Sequence, residues 1–279
     1  MTQLDTARSA AAPASRSTSS SGTARVVALA SGKGGVGTST AAALLGAAVA
    51  ATGRRVLLVD AVGHLGTLHE LLAVTPLHSL GALRRGLEPQ ALVTPVSPTL
   101  SLLALAPDES PLNESERRVL AQRLLSLYGH YDLVVADAGA SAAAILQACR
   151  DGATRLFAVC GSDRVGLAAT FALIKLVGQH FPDVRVDLMP NRVTATLAET
   201  LHGHLNAAAI RFLSRTICLA GAIPEDDDFG SALTAGLGAL DAAVGSNAVA
   251  AMHDIGERLL EDLTTPPHAV PLTRTFRTR

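Results

Sequence analysis

Ser31-Gly-Lys-Gly-Gly-Val-Gly-Thr-Ser-Thr40 is the stretch of sequence that decides the fold. The apolar run Arg25–Ala30 precedes it and predicts a buried strand, whereas the small residues of Ala41–Ala51 follow it and predict a helix. A glycine-rich turn between a strand and a helix directs backbone N–H groups and a helix N-terminus towards one point, where they bind phosphate. We therefore predict that Ser31–Thr40, called the phosphate loop below, binds a phosphate group.

The phosphate loop departs from the common phosphate-binding pattern at one position. In the pattern G-x-x-x-x-G-K-[ST], Gly32, Gly37 and Ser39 occupy the expected places, but Thr38 stands where the lysine belongs. The alternative, a glycine turn that binds nothing, is disfavoured because the stretch joins a predicted strand to a predicted helix. The sequence thus predicts a phosphate site that lacks its usual positive charge.

Composition excludes several classes of protein. The chain has 279 residues, a formal net charge of −1 and 48% hydrophobic residues, which is enough for one large α/β domain. A near-neutral chain has no electrostatic reason to bind nucleic acid. The three cysteines, Cys149, Cys160 and Cys218, are widely spaced and form no C-x-x-C pair, so we predict small buried apolar residues rather than a disulfide or a metal site.

Neither a membrane span nor a secretion signal is recognisable in the sequence. No apolar run reaches the ~18 residues that a membrane span requires. The N-terminus also lacks a basic segment followed by an apolar one. We therefore expect a cytoplasmic protein.

The chain divides into a folded region and two tails. Residues 1–23, rich in Ala, Ser and Thr, are predicted to form a disordered tail, and residues 265–279 a flexible one. Residues 24–264 are predicted to form one domain in which strands alternate with helices, two of them short, at Leu65–Leu72 and Leu80–Arg85. Seven strands are predicted, at Arg25–Ala30, Val56–Val59, Thr99–Leu105, Tyr131–Ala136, Leu156–Cys160, Val184–Met189 and Thr216–Ala220. Continuous apolar strands separated by helices predict an α/β fold with a doubly wound, mostly parallel sheet that carries helices on both faces.

Polar or turn-forming residues follow several of these strands. Besides the phosphate loop, Asp60, Asp137, Asn191 and Pro224 stand at or beyond the ends of predicted strands. The carboxyl ends of parallel strands lie at one edge of the sheet, where ligands bind. Each residue also has a simpler interpretation, because a strand-end Asp often caps the next helix and an Asn often forms a turn.

With these residues in place, the chain resembles the MinD/ParA group of P-loop ATPases. The variant loop of that group is K-G-G-x-G-K-[ST]-T, and Lys33-Gly34-Gly35-Val36-Gly37 matches it, with Lys33 at the position of the group's signature lysine. The resemblance extends from Arg25 to Leu263. Within the group, the order of segments is most similar to the FlhG/FleN branch, which regulates flagellar number and placement. The segments that suggest this branch are Val59-Asp60, Leu68, Leu71-Leu72, Tyr131–Ala140, Ala172–Lys175 and Ile223–Glu225.

The resemblance implies a site for ATP or ADP with Mg²⁺. The implied nucleotide-binding residues are Lys33, Gly34, Gly35, Val36, Gly37, Thr38, Ser39, Thr40, Asn191, Arg192 and Pro224. Ser39, Asp60 and Asp137 are the implied magnesium residues, and Lys33, Asp60 and Asp137 are the candidates for catalysis. Lys33 would reach phosphate across the interface of a nucleotide-bound homodimer. Implied protein partners are components of flagellar assembly or a GTPase.

Two positions depart from the group's pattern, and both bear on hydrolysis. Thr38 replaces the loop lysine, and Val62 replaces the second aspartate of an Asp-x-Asp that begins at Asp60. Losing an ammonium removes charge-assisted hydrogen bonds worth roughly 1.5–3 kcal/mol each, and about 1.4 kcal/mol is a factor of ten in affinity. Binding survives such a loss at millimolar ATP, whereas phosphoryl transfer depends directly on charge stabilisation and on positioning of the nucleophile. We therefore predict nucleotide binding with weak or absent hydrolysis.

Other functional classes stay open at this stage. The chain is alternatively a nucleotide-free scaffold, a DNA-partition ATPase of the ParA type, or a relative associated with secretion or cellulose synthesis. Membrane attachment is disfavoured, because Pro266, Pro267 and Pro271 interrupt the tail in which an amphipathic helix would form. Peripheral association with the inner membrane nevertheless remains an alternative location.

Overall fold

Strands and helices alternate along the chain, as the sequence predicts. The computed structural model describes residues 25–62, 67–76, 78, 86–104, 114–234, 238–241 and 245–264. The strands are β1 Arg25–Ala30, β2 Val56–Asp60, β3 Val93–Pro95, β4 Leu100–Ala104, β5 Leu133–Gly139, β6 Ala153–Cys160, β7 Arg185–Pro190 and β8 Cys218–Leu219. The helices are α1 Thr38–Ala51, α2 Leu68–Leu71, α3 Glu114–Tyr128, α4 Ala142–Arg150, α5 Arg164–His180, α6 Ala195–Leu213, α7 Asp227–Thr234 and α8 Asn247–Thr264, with a 3-10 helix at Pro89–Leu92.

The strands form one sheet with the order β3-β4-β2-β5-β1-β6-β7-β8. All neighbouring pairs are parallel except β3 and β4, which are antiparallel. The central strand β1 is buried over Val26–Ala30, as expected for a strand that is covered on both faces. The predicted doubly wound α/β fold is therefore confirmed.

One strand was absent from the sequence prediction. β3 contains only Val93–Pro95 and pairs with β4 at the edge of the sheet. Three residues are too few to show a period, and a proline is typical of an edge strand because it cannot donate to a ladder. The predicted strand Thr216–Ala220 is also shorter in the structure, where β8 spans Cys218–Leu219.

Helices cover both faces of the sheet. One hydrophobic cluster joins the sheet to α3, α4, α5 and α6 through Leu124, Ile145, Ile174 and Leu205. The other joins it to α1, α2, α7 and α8 through Leu45, Leu68, Phe229 and Met252. Helix α1 packs closely on the sheet because its residues are small, and a Cβ at Gly46 would lie 2.8 Å from Cδ2 of Leu58.

The cysteines follow the prediction in two cases out of three. Cys149 and Cys160 are buried free thiols, whereas Cys218 is exposed. The prediction was wrong for Cys218 because it lies on β8, the last strand of the sheet, which has a neighbour on one side only.

Some predictions fall outside the described residues. These are the two tails, 1–23 and 265–279, and the short helix predicted at Leu80–Arg85. Of the helix predicted at Leu65–Leu72, the described part contains α2. Across the described ranges, no helix combines the length and apolarity that crossing a membrane requires.

Candidate functional site

The phosphate loop connects β1 to α1 in a backbone conformation that depends on glycine. Gly35 and Gly37 have φ angles of +80° and +88°, in the left-handed region that side chains disfavour. Gly37 is the residue immediately before α1. The first N–H groups of a helix have no partner within it, so this end of α1 offers donors next to the loop.

Helix α5 lies directly against the phosphate loop. A Cβ placed on Gly32 would lie 2.1 Å from the carbonyl carbon of Ala169, which is backbone of α5. Just before α5, Asp163 accepts a hydrogen bond from the Gly166 N–H at 2.9 Å and also pairs with Lys33, whose Nζ lies 3.4 Å from Oδ1. Both side chains of this pair are about half exposed, at 46% and 50%. Lys33 is therefore held against α5 in this conformation and does not line the cavity above the loop.

A cavity of about 910 Å³ opens above the loop. The predicted residues that line it are Gly34, Gly35, Gly37, Thr38, Ser39, Thr40 and Arg192. A second cavity, of about 80 Å³, lies beside it and shares Gly37, Thr40 and Arg192 with the first. Asn191 and Pro224 line the second cavity together with Ile223 and Phe229. The structure thus brings the residues predicted from the loop and from two distant strand ends to one place.

Asp137 is the buried carboxylate of the site. It ends the apolar part of β5 and is fully buried, and its Oδ1 accepts a hydrogen bond from the Gly139 N–H at 3.0 Å. Its Oδ2 is buried and has no hydrogen-bond partner among the described residues. Burial raises the pKa of Asp137 to about 6, and the neighbouring Asp60 adds to this rise, while the Ser39 hydroxyl and the Gly139 N–H oppose it. A carboxylate in this position gains stability from a cation.

Asp60 has a different environment from Asp137, although the two residues are opposite each other on β2 and β5. Its Oδ2 accepts a hydrogen bond from the Leu68 N–H at 3.1 Å, and its Oδ1 accepts one from the Val62 N–H at 3.3 Å. Asp60 therefore accepts from the N–H of the first residue of α2, one of the helix-end donors that have no partner within the helix. Burial raises its pKa, and these two N–H groups oppose the rise. A role for Asp60 in magnesium binding stays a prediction.

Asn191, which follows β7, binds the backbone of the phosphate loop. Its Nδ2 donates a hydrogen bond to the Val36 carbonyl oxygen at 2.8 Å. This Nδ2 lies so close to Gly37 that a Cβ on Gly37 would be 2.4 Å from it, so a larger residue would clash with Asn191. The next residue, Arg192, has a φ of +59°, a left-handed conformation that is uncommon for a residue with a side chain. The sequence placed Asn191 near the ligand, but no local signal showed that it would bind the loop backbone itself.

Sequence reasoning missed several residues of the cavity wall. Thr67 and Glu70 reach the cavity from the start of α2, and Ser141 reaches it from the turn before α4. The Ser141 hydroxyl accepts a hydrogen bond from the Ala144 N–H at 3.4 Å, so it also caps that helix. Polar residues in turns are common, and only the sheet topology reveals which of them face the loop.

Comparison with known proteins agrees with this geometry. A family model described as the CobQ/CobB/MinD/ParA nucleotide binding domain matches residues 27–239. The chain belongs to this family. It is 27% identical to the antiactivator FleN of Pseudomonas aeruginosa over 216 residues, which are 73% of this chain and 74% of FleN.

Solved structures of MinD share the fold. MinD in the MinC:MinD cell division complex of Aquifex aeolicus superposes with a TM-score of 0.67 at 22% identity, covering 90% of this chain and 99% of MinD. The septum site-determining protein MinD of Pyrococcus horikoshii, solved with Mg-ADP, superposes with a TM-score of 0.66 at 19% identity, covering 87% of this chain and 99% of that one. The predicted MinD/ParA-type fold is confirmed.

Two residues separate this member of the CobQ/CobB/MinD/ParA family from the sequence pattern of the MinD/ParA group, one in the loop and one after β2. Thr38, where that pattern has lysine, is the first residue of α1 and is only 6% exposed. Val62 also lines the cavity, and its Cγ2 would lie 3.0 Å from a Cβ on Gly139. An apolar side chain thus forms the wall next to the two strand-end carboxylates. Of the described residues that line this cavity, Arg192 carries the only positive side chain.

Proposed function

We propose that this protein is a MinD/ParA-type regulator that binds ATP or ADP with Mg²⁺ and hydrolyses ATP weakly or not at all. The observation that carries the proposal is an open cavity above a glycine loop that retains its phosphate-binding backbone and Ser39 but has Thr38 in place of its second lysine. The left-handed glycines, the free end of α1 and the Ser39 hydroxyl all lie at this cavity. These groups bind phosphate without any help from a lysine.

The residues of the site fit a magnesium ion. Asp137 Oδ2 is buried without a hydrogen-bond partner in the described part of the chain, and the Ser39 hydroxyl belongs to the same environment. Oxygen ligands of this kind suit Mg²⁺, which usually keeps several of its waters. We assign Ser39 to the ion directly and Asp137 to its water shell. When bound, the ion would neutralise phosphate charge and thereby compensate in part for Thr38.

Arg192 is the side chain that we assign to the remaining phosphate charge. It lines both cavities, and it forms no ion pair or hydrogen bond with any other described residue. Its left-handed backbone and the neighbouring bond from Asn191 to Val36 fix the main chain beside the loop. A guanidinium also offers several donors in one plane, which suits phosphate oxygens.

Weak hydrolysis follows from the two departures together. Thr38 presents a hydroxyl where the transferring phosphoryl group needs a cation, and Val62 presents methyl groups where an attacking water needs an acceptor. We propose that nucleotide acts as a switch, in which occupancy rather than turnover determines the state of the protein. Lys33 would leave its pair with Asp163 and reach phosphate in a nucleotide-bound homodimer, because an ion pair between exposed side chains is weak.

The biological role that we propose is regulation of the number or placement of a cell-surface assembly, most specifically of flagella, in the cytoplasm. The support is the antiactivator FleN, a relative that aligns with 73% of this chain. MinD, which shares the fold, is solved in complex with another protein, MinC. By analogy we propose that this protein acts through partner proteins, including flagellar components or a GTPase.

Calorimetric titration with ATP and Mg²⁺ tests nucleotide binding. The wild type is expected to bind, Thr38→Lys to bind about tenfold more tightly or better, and Arg192→Ala about tenfold more weakly, since each change adds or removes a charged partner of phosphate. Arg164→Ala, which removes an exposed arginine that lines neither cavity, is the matched control. If the wild type releases no heat and shows no thermal shift, the protein is a nucleotide-free scaffold instead.

A genetic experiment tests the pathway. Deleting the gene in the source organism should change the number or position of flagella seen by electron microscopy, and the wild-type gene should restore them. Normal flagella beside defective chromosome or plasmid partition would instead support the partition alternative, and salt-dependent retention of the protein on DNA would then be expected.

A further inference from the structure

A groove of about 400 Å³ lies between the C-terminal ends of α5 and α6. Lys175 and Gln179 line it from α5, and Phe212 and Arg215 line it from the end of α6 and the turn that follows. Helices α5 and α6 each run back from the carboxyl end of one strand to the amino end of the next. The groove is therefore at the edge of the sheet opposite the phosphate loop, and it belongs to neither cavity described above.

An exposed aromatic ring stands at one side of the groove. Phe212 is 66% exposed, in a chain that has only six Phe, two Tyr and no Trp. Its ring is held edge-to-face against Phe171, with 6.4 Å between centroids, and the Arg211 guanidinium lies 5.1 Å from its centroid. Covering a fixed and exposed ring of this kind with another apolar group removes apolar surface from water, which favours binding.

The rest of the groove is basic. Lys175 and Arg215 line it, Arg211 is adjacent, and no carboxylate is among the lining residues. Within the described residues, the charged groups of these three side chains form no ion pair and no hydrogen bond. Arg215 packs over α5 so closely that a Cβ on Gly178 would lie 3.2 Å from its Nη1, and burial lowers the pKa of Arg215. A cation that is partly removed from water without a counter-ion is stabilised by an anionic partner.

We propose that this groove binds an acidic segment of a partner protein, with an apolar side chain against Phe212 and carboxylates beside Lys175 and Arg215. Its volume is in the range of specific pockets and accommodates a few side chains. A membrane surface would need a broader apolar face, and nucleic acid would need a longer track of cations. The shape and charge together therefore favour a peptide over both.

Fluorescence anisotropy with the full chain tests the proposal. The probe is a labelled peptide of about twelve residues that alternates Glu and Leu, and its matched control replaces every Glu by Gln. The wild type is expected to bind the Glu peptide at about 10–100 μM and the Gln peptide at least about tenfold more weakly. Binding of the Glu peptide should also weaken as salt is raised, because the contacts are charged.

Variants distinguish this groove from the rest of the surface. Lys175→Glu with Arg215→Glu should weaken binding at least about tenfold, whereas Arg25→Glu with Arg54→Glu, an equal charge change at exposed sites elsewhere, should alter it less than about twofold. Phe212→Ala should weaken it about threefold or more, whereas Ile210→Ala, on the same helix and 49% exposed, should leave it unchanged. Lys175→Gln is the milder variant to use if circular dichroism shows that Lys175→Glu with Arg215→Glu has lost helical structure.

Several results would overturn the proposal. The wild type would then fail to bind at about 1 mM peptide, or it would bind the Glu and Gln peptides equally. An equal loss of binding in Arg25→Glu with Arg54→Glu would also contradict the proposal. Tighter binding to anionic lipid vesicles or to single-stranded DNA, with the same dependence on Lys175 and Arg215, would assign the groove to a membrane or to nucleic acid instead.

Discussion

At the scale of single residues, glycines of the phosphate loop serve different purposes. Gly32 allows α5 to approach, because a Cβ there would lie 2.1 Å from the backbone of Ala169. Gly34 has nothing within 4 Å of its hypothetical Cβ and is not in the left-handed region. The loop pattern in the sequence marks both positions in the same way, and only the packing of α5 separates them.

Gly32→Ala should destabilise the protein by about 2–3 kcal/mol or more, since the clash is with backbone that cannot rotate away. Gly34→Ala should change the free energy of unfolding by less than about 0.5 kcal/mol. Urea unfolding followed by circular dichroism measures both. Equal stability of the two variants would contradict the close packing of α5 on the loop.

Asp137 makes the stability of the nucleotide-free protein depend on pH. Its pKa is raised to about 6, so the folded protein holds the proton more tightly than the unfolded chain and protonation stabilises the fold. This contribution is complete below the ordinary carboxyl pKa of about 4 and is lost as pH rises through about 6. From pH 8 to pH 5, Asp137 should therefore add about 1–2 kcal/mol to the free energy of unfolding.

The contribution of Asp137 is measured by comparison with Asp137→Asn in EDTA. Burial also raises the pKa values of Asp60 and Asp151, so these groups act in the same direction as Asp137 and the total pH profile mixes them. The difference between wild type and variant isolates Asp137. An unchanged slope between pH 5 and pH 8 in Asp137→Asn would contradict the assignment.

At the scale of elements, how much the sequence predicts depends on how long and regular each element is. The helix after the phosphate loop and the apolar strand β1 follow directly from their patterns, and the structure contains both with nearly the predicted bounds. The edge strand β3 was missed because three residues show no period. Asp60 and Asp137 are equivalent in the sequence. Only the position of α2 gives Asp60 a helical N–H as a partner, whereas one oxygen of Asp137 has no partner among the described residues.

The attachment of α8 to the sheet also depends on contacts between distant residues. Arg155 on β6 and Arg185 on β7 both bind Asp187, which is fully buried. The same two arginines bind Asp262 near the end of α8, with Nη1 to Oδ2 distances of 2.9 Å and 3.2 Å. Asp187 thus neutralises the buried Arg155 and the half-exposed Arg185, whereas the half-exposed Asp262 binds the same two arginines from α8.

Asp187→Asn should lower the free energy of unfolding by about 3–5 kcal/mol, because it removes the fully buried counter-charge of the Arg155 guanidinium and leaves the half-exposed Asp262. Asp262→Asn should cost only about 0.5–1 kcal/mol, as expected for an exposed ion pair. Glu257→Gln, an exposed position on α8, is the control. Urea unfolding gives all three values, and similar losses for Asp187→Asn and Asp262→Asn would contradict the difference in burial.

At the scale of the whole molecule, we predict that ATP controls the association of two copies of the chain. Light scattering after size-exclusion chromatography should show a dimer with ATP and Mg²⁺ and a monomer without nucleotide. Lys33→Ala should remain monomeric, because the lysine released from Asp163 is the group proposed to reach phosphate across the interface. Asp163→Asn, which frees Lys33 without removing it, should dimerise at least as readily as the wild type. A dimer in every sample, with or without nucleotide, would contradict the switch.

We propose that the site binds nucleotide with its original architecture but no longer hydrolyses ATP efficiently. Phosphate release with ATP and Mg²⁺, measured for the wild type and for Thr38→Lys with Val62→Asp, tests this proposal. We expect little or no turnover in the wild type and an increase of about a hundredfold or more in the double variant. Adding Lys33→Ala to the double variant should remove the increase. Turnover in the wild type as fast as in the double variant, or no gain on restoring both residues, would contradict the account.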